Sequence, residues 1–150
     1  MAELLTIDAS VFVAAYRKGE KENVSSRALL RHVREAGIPL IEPMLLQVEI
    51  AAALARAGED SVWATDYAER VTAFPGMTLC PLDEDAAQRA VHHAAEGRLR
   101  GMDAVYVATA CRFGASLVML DREQLTRAPK AVNACTPRVA AKRIRKSGSA

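Results

Sequence analysis

Nowhere does this 150-residue chain carry the ~20 consecutive apolar residues of a bilayer-spanning helix. Its apolar runs of about five to eight residues are broken by charges, which excludes a transmembrane helix. The opening MAELLTID lacks a basic start and a cleavage site, so the chain is expected to stay in the cytoplasm. Cysteine is scarce. Cys80, Cys111 and Cys135 are odd in number, far apart and set among apolar neighbours, with no CxxC or Cys/His spacing. They read as free thiols, and a disulfide framework or a structural zinc site is set aside. His32, His92 and His93 fall on expected helices without partner ligands and read as helix surface. Internal repeats and linkers rich in Gly, Ser or Pro are also missing, so one hydrophobic core in one domain is expected.

The formal net charge of +2 conceals an uneven distribution. Residues 122–150 hold eight Lys/Arg against one acid, leaving a body with 12 basic and 17 acidic residues. The expected organisation is a folded domain over residues 1–140 and a basic, flexible tail over 141–150. Lys142, Arg143, Arg145 and Lys146 would attract a polyanion without reading its sequence.

Along the chain, LLTIDAS predicts a short buried strand over Leu4–Ile7, followed by a helix in VFVAAYRKG. A second helix begins near Ser25, places Leu29, Leu30 and Val33 on one side and stops at Gly37. IPLIEP is a second strand. PMLLQVEIAAALARAG is a helix that opens on Pro43 and closes at Gly58. SVWATDYAERVTAF is another helix, MTLCPL a third strand, and Asp83–Glu96 a helix with an acidic first turn. GRLRG forms a loop, MDAVYVATACRFG a helix, SLVMLD a fourth strand and AVNAC a fifth. Strands alternating with helices of about ten residues or more require crossovers and a mostly parallel sheet with helices on both faces.

In such sheets ligands bind beyond the carboxyl ends of the strands, and Asp8 and Asp121 stand where apolar strands end. Each could instead merely cap the next helix. Glu49 has Leu45, Leu46, Ala52 and Ala53 one turn away, so it lacks a polar face and needs a metal ion or a basic partner. Asp103 opens the helix DAVYVATACRF with Arg98 and Arg100 in the loop before it. Several carboxylates brought together repel one another, and Mg²⁺ or Mn²⁺ makes the cluster favourable. The chemistry suited to such an ion is phosphodiester hydrolysis. Ser10 could hydrogen-bond a carboxylate or a bound water. Arg98, Arg100 and Arg122 are the candidates for RNA phosphate contacts.

TIDASVF, QVEIAAAL, GMDAVYVATACRFGASLVMLD and the short DREQL occur in an order that resembles a PIN domain, most of all the VapC-type toxins of toxin–antitoxin pairs. The resemblance spans residues 4–137. It implies a PIN-like three-layer α/β sandwich with four or five mostly parallel strands. It further implies a Mg²⁺- or Mn²⁺-dependent endoribonuclease, a homodimer, and inhibition by a cognate antitoxin protein. The catalytic and metal-holding roles would fall on Asp8, Glu49, Asp103 and Asp121. Relatives often carry Thr or Ser two residues before the last acid, where this chain has Met119, a departure that bears on the part played by Asp121. The alternative is a catalytically silent module of this fold that binds RNA or a protein. Haloacid-dehalogenase-type enzymes fit poorly because Ser10 stands where their second acid belongs. Response-regulator receivers fit poorly for want of paired acids near the first strand.

Overall fold

The computed structural model describes residues 3–130 and 132–149. Its centre is β1 (Leu5–Ile7), whose three residues are all buried. β2 (Leu40–Pro43) lies on one side of it and β4 (Ser116–Val118) on the other. The edges are β3 (Met77–Cys80), beside β2, and β5 (Ala134–Cys135), beside β4. Every pairing is parallel, with Leu5 opposite Leu40 and Ser116, and Ile7 opposite Val118. Parallel neighbours cannot be joined by a tight turn, so each connection runs through helix, and the carboxyl ends of the strands point the same way. The expected α/β sandwich with a parallel sheet is the observed fold.

α1 (Ala9–Tyr16) follows β1 at once because the Asp8 side chain caps it. α2 (Asn23–Ala36) begins two residues before the expected Ser25. The Asn23 amide donates to the carbonyls of Ala14 (2.8 Å) and Ala15 (3.1 Å), tying α2 to the last turn of α1. α2 stops at Gly37, whose φ of 63° is the left-handed conformation that a side chain would strain. α3 (Leu45–Arg56) and α4 (Ser61–Thr72) pack on each other, and α5 (Glu84–Gly97) packs on α6 (Gly101–Phe113). In α6, Asp103 to Ala110 are all buried, as suits a helix laid on β1, β2 and β4 with α5 beside it.

Two expectations are corrected. β4 ends at Val118 and not at Asp121, because Asp121 caps a short α7 (Arg122–Arg127) that the sequence analysis left unassigned. Residues 141–149 do not form a flexible tail: α8 (Pro137–Gly148) spans nearly all of them. Thr136 caps it, Pro137 opens it, and Ala140, Ala141 and Ile144 are buried along the contact of α8 with α2. Arg143 pairs with Glu3, with Nε 2.7 Å from Oε1. Ala131, first residue of the expected AVNAC strand, lies outside the described residues, as do Met1, Ala2 and Ala150. The three cysteines are free, and burial pushes each thiol up. Among the described residues no helix is long and apolar enough to cross a membrane.

Candidate functional site

A cleft of about 570 Å³ opens at the carboxyl end of the central strands, lined by residues of α1, α3 and α6. Asp8, Glu49 and Asp103 all line it, together with Ser10, Arg56 and Arg100. Three acids more than 40 residues apart in sequence are thus brought to one place by the topology. Asp121 does not line the cleft; Arg100 joins it to Asp103.

Asp8 leaves β1 with its backbone N–H on the Val118 carbonyl (2.8 Å), so β4 fixes where it emerges. Its Oδ2 accepts from the Ser10 N–H at 3.0 Å. Capping is therefore real for Asp8, yet it uses one oxygen and leaves the other to the cleft. Burial raises the Asp8 carboxyl above its ordinary range; the Ser10 N–H restrains the rise and the nearby charge of Asp103 adds to it.

Glu49 comes from the middle of α3, where Ala52 and Ala53 give it a low wall on the cleft side. Burial pushes its pKa up to about 7, with the charges of Asp8 and Asp103 contributing in the same direction and Arg100 against them. Glu49 is therefore poised to gain or lose a proton near neutrality. The Tyr106 hydroxyl lies beside it on α6, yet Glu49 Oε1 and Tyr106 OH are both buried without a hydrogen bond of normal geometry.

Asp103 sits in the first turn of α6 and is not its cap, the position Arg100 occupies without a side-chain bond. The Arg100 guanidinium is the countercharge of the site. Its Nε lies 2.7 Å from Asp103 Oδ2 and its Nη2 2.9 Å from Asp121 Oδ2. The Asp103 side chain is 10% exposed and that of Asp121 40%, so the fork joins a buried acid to a partly exposed one. Asp121 uses its other oxygen to cap α7 through the N–H groups of Glu123 and Gln124. Among the described residues no three potential ligands are already gathered as a metal cluster.

Of the other candidates, Arg98 does not line the cleft: it is the left-handed cap of α5, and its carbonyl accepts from Arg127 Nη1 at 2.9 Å. Arg122 faces a different groove. Met119 is buried at 1% exposure and does not line the cleft.

One buried acid escaped the sequence reading. Glu42 on β2 is fully buried, and its Oε1 accepts from the Ile7 N–H at 2.6 Å. Burial raises its pKa well above the ordinary value, and the charge of Asp8 raises it further. Its Oε2 has no partner. The signal was present in IEP, an acid between apolar residues inside a predicted strand, where a solvated face is not available.

A sequence profile of the PIN domain matches residues 5–131. The chain belongs to the PIN domain family. No curated protein sequence matches it closely. Solved structures share the PIN fold across nearly the whole chain. PAE2754 from Pyrobaculum aerophilum is 23% identical, with a TM-score of 0.68 over 97% of this chain and 99% of its own. Mycobacterium tuberculosis VapC20, described as a sarcin-ricin loop cleaving toxin, is 15% identical, with a TM-score of 0.69 over 85% and 98%. A toxin–antitoxin complex from Klebsiella pneumoniae gives 17% identity and a TM-score of 0.62 over 89% and 97%. At these identities the likeness is one of fold. Within this PIN domain, the cleft at the strand ends is where Asp8, Glu49 and Asp103 meet.

Proposed function

We propose that this PIN domain is a divalent-metal-dependent endoribonuclease and the toxin of a toxin–antitoxin pair, working in the cytoplasm as a homodimer. The observation that carries the reading is the convergence of Asp8, Glu49 and Asp103 on one cleft, with Asp121 tied to Asp103 by Arg100. The antitoxin partner is inferred from fold neighbours solved as toxin–antitoxin complexes.

The residues fit a Mg²⁺ or Mn²⁺ ion. Of the buried polar atoms without a partner, Glu49 Oε1 and Ser10 Oγ belong to residues that line the cleft. Leaving such atoms unsatisfied costs about 1–3 kcal/mol each, and a hydrated cation offsets that cost while neutralising the acids. Asp8, Glu49, Asp103 and Asp121 would hold the ion. When bound it supplies Lewis acidity toward water and phosphoryl oxygen.

The chain's own groups do the rest. Asp8 and Asp103, fixed by the Ser10 N–H and by Arg100, present carboxylates from a rigid strand end and helix turn. Without the ion Glu49 titrates near pH 7, so it would have to give up its proton to serve as a ligand. Arg100 is permanently charged, and its planar fork is suited to binding two oxygens of a substrate phosphate.

The test is incubation of the purified chain with single-stranded RNA. Cleavage is expected with Mg²⁺ or Mn²⁺, and its abolition by EDTA. An intact RNA under all metal conditions would turn the reading to the alternative, a PIN module that binds without cutting.

A further inference from the structure

A second groove of about 570 Å³ runs between α2 and α8, and Leu120 lines both it and the acidic cleft. The groove is basic. Lys21, Arg31, Arg122, Arg138, Lys142 and Arg145 line it against one acid, Glu22, which is occupied by the Ser25 hydroxyl at 2.8 Å. Arg31 has only a 4.0 Å contact with Glu35, and among the described residues the other five form no ion pair.

The helices explain the arrangement. On α8, Arg138, Lys142 and Arg145 are spaced four and three apart and share one exposed face, while Ala140, Ala141 and Ile144 are buried on the side that packs on α2. Ser25 and Ala28 on α2 and Ala141 on α8 are small, so they leave a shallow floor between basic walls. At the end nearest the cleft, Asp121 turns its Oδ2 to Arg100 while the next residue, Arg122, lines the basic groove.

So many like charges in one trough repel one another, and among the described residues only Glu22 stands against them in the groove. A polyanion would. We propose that the α2–α8 groove binds the phosphate backbone of single-stranded RNA and carries the strand flanking the cut site into the acidic cleft. This deepens the nuclease reading and rests on it for the identity of the strand. The acidic cleft alone repels phosphates until it holds cations, so a separate basic track would supply the binding energy that the reacting site cannot.

The experiment compares the full chain with the triple variant Arg138→Glu/Lys142→Glu/Arg145→Glu, and with a control of equal charge change, Arg27→Glu/Arg70→Glu/Lys130→Glu, whose residues lie outside both grooves. Binding of RNAs of ~4 and ~16 nucleotides is measured in EDTA over a range of salt, and cleavage of both is measured with Mn²⁺. Three lost phosphate contacts should flatten the log–log salt slope for the longer RNA by about 2, and weaken its binding tenfold or more. Its KM should rise in step, while kcat for the short RNA stays as in the unchanged chain.

Equal weakening by the control, or an unchanged slope in the groove variant, would overturn the proposal. So would a groove variant that binds RNA normally but loses an acidic protein partner. Because the binding arm needs no turnover, failure of the groove is distinguishable from failure of the nuclease reading, which would show as absent cleavage by the unchanged chain.

Discussion

Asp103→Asn is expected to reduce RNA cleavage at least about a hundredfold while the chain folds as before. Residues that only orient metal ligands typically cost 10–100-fold when replaced, so a direct ligand should cost no less. Asn is isosteric, removes one charge from a crowded cleft and relieves repulsion on Asp8, whose carboxyl the Asp103 charge pushes up. What is lost on the folding side is the 2.7 Å charge-assisted bond to Arg100. The Arg100 side chain is 64% exposed, so water replaces that partner and screening leaves little net cost. Asp8→Asn should behave in the same way, since Asn caps a helix about as well as Asp and can still accept from the Ser10 N–H. Far-ultraviolet circular dichroism and melting curves report the fold, and a gel assay with Mn²⁺ reports the rate. Cleavage within about tenfold of the unchanged chain in both variants would remove these acids from the reaction.

The second large effect concerns Glu42, and it separates two substitutions at one position. Glu42→Ala deletes the acceptor of the buried Ile7 N–H and leaves a cavity beside β1. The orphaned donor alone costs about 1–3 kcal/mol, and the cavity adds to it. At roughly 2–4 °C per kcal/mol for a chain of this size, melting should fall by roughly 5–10 °C. Glu42→Gln keeps an acceptor and discards the buried charge, so it should melt at or above the unchanged chain.

The pH dependence follows from the direction of the shift. An unfolded Glu titrates near 4.5, and the folded group titrates well above that. The folded state therefore binds the extra proton, and this contribution to stability is fully present below pH 4.5 and is lost as pH rises through the folded value. The advantage of Glu42→Gln should accordingly be larger at pH 8 than at pH 5, in buffer without divalent metal. Equal melting of the Ala variant and the unchanged chain would show that the Ile7–Glu42 bond contributes nothing.

These two positions also mark what the sequence made legible. Asp8 and Asp121 could be found because each stands where an apolar strand run gives out, and Glu49 because it interrupts an apolar helix pattern without a polar face to join. Asp103 was found as an acid that opens a helix with Arg98 and Arg100 in the loop before it. Glu42 interrupts a pattern in the same way, yet an acid next to Pro43 reads as the end of a strand, and the fully buried environment exists only once β1 and α6 cover β2. The Arg100 fork was out of reach because it joins Asp121 across 21 positions, a distance that local periodicity does not see.

The alternation of strand and helix gave the parallel sheet, whereas the order β3-β2-β1-β4-β5 comes from long-range pairing. α8 was missed for a different reason. Its charge dominated the reading, although the Thr136–Pro137 start signal and the apolar Ala140, Ala141 and Ile144 were there to mark an amphipathic helix.

The central claim is that Asp8, Glu49, Asp103 and Asp121 together hold a divalent cation, and Mn²⁺ binding tests it without any substrate. Calorimetric titration and Mn²⁺-dependent melting of the unchanged chain, Asp103→Asn and Glu49→Gln would be measured at pH 6 and pH 8. A ligand at 100 times its Kd stabilises the folded state by about 2.7 kcal/mol, so melting should rise clearly on addition of the ion. Affinity should be higher at pH 8, because Glu49, with its pKa raised to about 7, must release its proton to the solvent before it can bind. That pH dependence should shrink in Glu49→Gln, and the whole shift should vanish in Asp103→Asn. Mn²⁺ binding of equal strength in all three chains, or none in the unchanged chain at either pH, would contradict the account.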